Sequence, residues 1–108
     1  MKIAVVGGGR RCKDLMDVIQ RHTFQEIQPE IVAVADIRTD APGLVAAMEK
    51  GLFITSTYDD FFDRDDIDLI VELTGSMDIY NDILSKKKKS VRAISTNTAQ
   101  LFWEIARV

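Results

Sequence analysis

The chain has 108 residues, 46% hydrophobic and 29% charged, which suits one globular domain with a modest core and excludes a disordered or fibrous protein. A net charge of −3 gives no concentrated basic face for nucleic acid, and one cysteine with one histidine excludes an intramolecular disulfide and a Cys-rich metal site. No apolar run approaches the ~20 residues that cross a bilayer, and the opening Lys2-Ile3-Ala4-Val5-Val6 runs into glycines and arginines instead of a cleavage site, so no membrane contact and a reducing, cytoplasmic location are expected.

Residues 3–6 are continuously apolar and end at Gly7-Gly8-Gly9, as in a strand buried on both faces of a parallel sheet. The period then changes. Cys12, Leu15, Met16 and Ile19 fall at i, i+3, i+4 and i+7, with Lys13, Asp14, Asp17 and Gln20 opposite, which predicts a helix of about three turns. Pro29 and Glu30 lead into a second apolar run over 31–35, closed by Asp36. Asp40-Ala41-Pro42 reads as an N-cap with proline in the first turn, and Gly51 as a stop, so a short helix is predicted over 42–50. A weak strand over 53–55 follows, then one helical turn packing Tyr58, Phe61 and Phe62 beneath the acidic stretch 63–68. The next strong strand is 69–73, closed by Thr74-Gly75. Ser76 caps a predicted helix over 77–87 with Ile79, Tyr80, Ile83 and Leu84 inward. A last strand over 91–95 precedes a helix over 98–107.

This alternation predicts an α/β fold of three layers, a Rossmann-type doubly wound parallel sheet, because parallel strands need crossovers that cover both faces. The chain stops in or just after the apolar helix containing Leu101-Phe102-Trp103-Glu104-Ile105, which suggests the N-terminal part of a longer protein.

Gly7-Gly8-Gly9-Arg10-Arg11-Cys12 supplies the first two glycines of G-x-G-x-x-G between a strand and a helix. Gly7 permits the tight turn, Gly9 lets backbone approach a pyrophosphate, and the helix N-terminus, with Arg10 and Arg11, offers positive charge. Cys12 replaces the third glycine, a packing position where a small side chain is tolerated. Asp36 follows Cys12 by roughly two dozen residues, near the ~20-residue offset of the acid that accepts from a ribose 2′-hydroxyl. That favours NAD over NADP. Ile37 and Arg38 adjoin it, with Arg38 read either as an adenine or phosphate contact or as a solvated arginine. Thr74, Gly75, Thr96 and Asn97 follow strand ends where ribose and nicotinamide would lie; the competing reading is helix capping by Ser76 and Asn97.

Cys12 lies on the apolar stripe, which favours packing over a redox role. His22 and the basic run 86–89 read as helix C-terminal cations. Phe102 and Trp103 read either as core or as a surface for a homodimer or a downstream domain.

These stretches resemble the N-terminal NAD(P)-binding domains of the glucose-fructose oxidoreductase and inositol dehydrogenase superfamily and of homoserine dehydrogenases. The matching segments are Lys2-Ile3-Ala4-Val5-Val6-Gly7-Gly8-Gly9, Ile31-Val32-Ala33-Val34-Ala35-Asp36 and Asp66-Ile67-Asp68-Leu69-Ile70-Val71-Glu72-Leu73-Thr74-Gly75. The resemblance implies an adenine dinucleotide pocket. It also implies a Glu-Lys-Pro or Thr-Ala-Asn-Lys-like segment, where this chain has Ser95-Thr96-Asn97-Thr98-Ala99, so Thr98 stands at the catalytic lysine. These 108 residues also leave no room for the substrate domain that the resemblance implies. The leading expectation is therefore a noncatalytic NAD(P)-binding sensory or regulatory domain of a larger signalling protein. The alternatives are the cofactor domain of an oxidoreductase and a Rossmann interaction domain without a ligand.

Overall fold

Strands that are apolar throughout must be covered on both faces, and the chain achieves this with helices on either side of one parallel sheet. The computed structural model describes residues 1–106. It contains β1 (Lys2–Val6), α1 (Arg10–Arg21), β2 (Glu30–Ala35), α2 (Pro42–Glu49), β3 (Phe53–Thr55), a 3-10 turn (Tyr58–Phe61), β4 (Leu69–Glu72), α3 (Met77–Lys86), β5 (Arg92–Ile94) and α4 (Thr96–Ala106). All strand pairings are parallel, in the order β3-β2-β1-β4-β5. This is the Rossmann-like, doubly wound α/β arrangement that the alternation predicts. Its strand order reverses direction between β1 and β4, which opens a crevice at their carboxyl ends.

One face packs Ile3, Val5, Val34 and Val71 against α1, α2 and α4 through Cys12, Met16, Leu44, Ala47, Ala99 and Trp103. The other packs Ala4, Val6, Ala33 and Ile70 against Phe61 of the 3-10 turn and Ile83 of α3. Ile3 pairs with Ile31 but Ala4 with Ala33, so Val32 is an extra residue in β2. The bulge turns Val32 and Ala33 toward the same face, a break in the two-residue alternation.

Several local expectations are corrected. Asp40 does not cap α2; Ala41 holds the N-cap position without a side-chain bond, and the carbonyl of Gly8 accepts from the amides of Gly43 (2.6 Å) and Leu44 (3.0 Å) instead. A tertiary carbonyl thus satisfies donors that a capping side chain would otherwise take. Leu84 is exposed, because the inward face of α3 centres on Ile83 and leaves Leu84 on its flank. The last helix begins at Thr96, two residues early, so Asn97 lies inside its first turn and caps nothing; the Ser95 carbonyl accepts from Ala99. The predicted end of that helix at Arg107 lies outside the described residues. Ser76 does cap α3, its Oγ accepting from the Ile79 amide. Trp103 is core while Phe102 is exposed. The basic run is tied down by acids as well as by its helix end: Lys86 pairs with Asp59 and Asp82, and Lys88 with Asp65. No helix among the described residues is long and apolar enough to cross a membrane.

Candidate functional site at the strand ends

The turn after β1 brings three strand ends into close contact. Gly7 has φ +104°, and a Cβ there would lie 3.0 Å from the Leu73 carbonyl carbon and 3.1 Å from the Thr74 nitrogen. The Gly7 amide donates to the Ala35 carbonyl, and the Leu73 amide donates to the Val6 carbonyl. Glycine at this position therefore allows the ends of β1, β2 and β4 to meet.

Gly8 is buried and directs its amide to Asp36 Oδ2 at 2.8 Å. Gly9 then occupies the N-cap of α1, with no side-chain cap and no acid in the first helical turn. The uncapped amides and the positive end of the helix dipole are left facing the crevice, an arrangement suited to an anion. The side chains of Arg10 and Arg11 add two cations at the same rim.

The packing role of the missing third glycine has moved to another helix. A Cβ on Gly43 would come within 2.7 Å of Cys12 Cβ and 2.8 Å of Cys12 Sγ, so Gly43 of α2 makes room for the cysteine of α1. Burial, with a contribution from the charge of Asp36, pushes the Cys12 thiol up to about 12. Such a thiol has little thiolate at neutral pH. Cys12 in the folded chain is expected to resist iodoacetamide and to react fully once denatured, with mass spectrometry as the readout; rapid native labelling would contradict its assignment as a packing residue.

Asp36 follows β2. Its Oδ1 accepts from the Arg38 amide at 2.9 Å and lies 3.6 Å from Arg38 Nε. Burial pushes the carboxyl upward, but the amides of Arg38 and Gly8 and the Arg38 guanidinium outweigh it and hold the group below the ordinary carboxylate range. Arg38 also reaches over Gly9, where its Nη2 would stand 3.3 Å from an added Cβ. Ile37, 84% exposed, presents an apolar surface beside this charged pair.

A cleft of about 500 Å³ brings Gly7, Gly9, Arg10, Arg11, Asp36, Ile37, Arg38 and Thr74 together. Ser56 and Tyr58 also line it. Sequence reasoning missed those two as site residues, although their position just after β3 places them at the same carboxyl edge. The Tyr58 hydroxyl donates to Asp82 Oδ2 at 2.6 Å, and that bond, with burial and nearby acids, pushes its pKa up to about 12.

Gly75, Thr96 and Asn97 are not among the residues lining this cleft. Gly75 and Thr96 surround Glu72, which is 1% exposed at the end of β4. Glu72 accepts from Thr74 Oγ1 (2.6 Å), the Gly75 amide (2.7 Å) and the Thr96 amide (3.3 Å), while Thr96 Oγ1 donates to the Glu72 backbone carbonyl (2.8 Å). The carboxylate ties the turn after β4 to the turn after β5, with its charge satisfied by several donors. Asn97 is exposed on α4. Glu72 is the organising residue that sequence reasoning passed over; the available signal was a glutamate in an otherwise apolar strand followed by Thr-Gly. No protein-family model matches the chain, and no curated protein matches it at a significant level.

Proposed function

We propose that this chain is a noncatalytic NAD(P)-binding module that regulates a larger signalling protein. The observation that carries the reading is the convergence, at the point where the strand order reverses, of the uncapped N-terminus of α1, three arginines and the Asp36 carboxylate. The helix end and Arg10 and Arg11 suit a pyrophosphate; Asp36 retains acceptor capacity for ribose hydroxyls, and Ile37 offers an apolar surface to adenine. Asp36 favours NAD over its 2′-phosphorylated form by charge repulsion. Catalysis is disfavoured by Thr98 at the position where similar enzymes carry lysine. The exposed Leu101, Phe102 and Ile105 on α4 support docking to further protein.

Calorimetric titration with NAD+, NADH, NADP+ and NADPH tests the reading. The NAD forms should bind, and Asp36→Ala should weaken them about tenfold or more, the loss expected for a hydrogen bond to a charged acceptor. Because that variant also loses the two amide bonds that hold the loop, its melting temperature is measured alongside. Silence from all four nucleotides would sink the reading.

A further inference from the structure

We infer that the cleft recognises the adenosine 5′-diphosphate moiety alone, so that ADP and ADP-ribose are ligands on a par with NAD+ and NADH and this chain does not read the nicotinamide redox state. The inference rests on the proposed nucleotide reading of the same cleft and narrows the ligand class within it.

The two halves of the sheet differ in what they leave free. On the β1-β2-β3 side, the cleft is lined by Gly9 at the α1 N-cap, Arg10, Arg11, Asp36, Ile37 and Arg38. Three arginines and one aspartate line it, and only Arg38 is paired with the Asp36 carboxylate, its Nε 3.6 Å away. The excess positive charge suits a diphosphate, and a terminal one at least as well as an internal one.

On the β4-β5 side, the polar groups positioned for a second ribose or a nicotinamide are spent within the protein. The Thr74 hydroxyl, the Gly75 amide and the Thr96 amide all donate to Glu72, and the Thr96 hydroxyl bonds the same residue. Glu72 and Thr96 are both buried, so turning these donors toward a ligand would strand a carboxylate away from water. The Ser95 and Thr98 hydroxyls are within 3.5 Å of each other. Asn97 keeps its side-chain amide uncommitted, but it is exposed on α4 and does not line the cleft, so the uncommitted recognition chemistry of the cleft covers adenosine and two phosphates.

The test uses the wild-type chain with AMP, ADP, ADP-ribose, NAD+ and NADH in parallel titrations. ADP, ADP-ribose, NAD+ and NADH should agree within about threefold in affinity, and AMP, lacking the second phosphate, should be roughly tenfold weaker or worse. An Arg10→Ala/Arg11→Ala variant, altered only at exposed positions, should weaken ADP and NAD+ by the same factor. NAD+ or NADH binding about tenfold more tightly than ADP-ribose would overturn the inference while leaving the dinucleotide reading intact. AMP matching ADP, or unequal losses in the double variant, would also overturn it. Silence from all five would bring down both the inference and the reading on which it rests.

Discussion

Gly7→Ala should lower the melting temperature by roughly 10–20 °C. Two costs combine. A non-glycine residue at φ +104° carries about 1–2 kcal/mol of backbone strain, and the new Cβ meets the Leu73-Thr74 backbone at 3.0–3.1 Å, where relief requires moving a strand end. Together they amount to about 2–4 kcal/mol for a domain of this size. Gly51→Ala separates the terms, because Gly51 has φ +74° with nothing within 4 Å of an added Cβ. That control should lose only the strain, about 1 kcal/mol. Equal losses in thermal melts followed by circular dichroism would show that crowding against β4 is not what demands glycine at position 7.

Glu72→Ala should cost about 3 kcal/mol or more. The substitution leaves a cavity at a fully buried site and removes the acceptor shared by Thr74, Gly75 and Thr96. Glu72→Gln keeps the volume and one carbonyl oxygen, but its NH₂ must face a donor, so an intermediate loss of about 1–2 kcal/mol is expected. Urea unfolding of the three proteins provides the measurement. If Glu72→Ala is as stable as the parent, the carboxylate is not what joins the two turns.

The sheet was legible because its signal is local. β1, β2 and β4 are short apolar runs that start or end at glycine, proline or an acid, and the change from continuous to 3.6-residue spacing at Cys12 marks the first crossover. The glycine loop and Asp36 were legible for the same reason, being strand-end residues read from spacing. The misses involve partners distant in sequence. Asp40 has the chemistry of a cap, yet the carbonyl of Gly8 reaches α2 first, which no local pattern encodes. Cys12 is buried as its place on the apolar stripe predicts, but the glycine that makes room for it, Gly43, lies on another helix, beyond the reach of any local pattern. Thr96 looked like a ligand contact because it follows a strand, but the buried Glu72, 24 residues earlier, takes its hydrogen bonds.

The central claim, that the carboxyl edge of β1 and β2 is a nucleotide site, is tested most directly by following backbone amide resonances as NAD+ is added to the 108-residue chain. The account predicts saturable shifts at Gly7, Gly9, Arg10, Arg11, Asp36, Ile37 and Arg38, with Leu101 and Ile105 on α4 unmoved. Unchanged resonances around the glycine loop at saturating nucleotide, or shifts confined to Thr96 and Asn97, would contradict it.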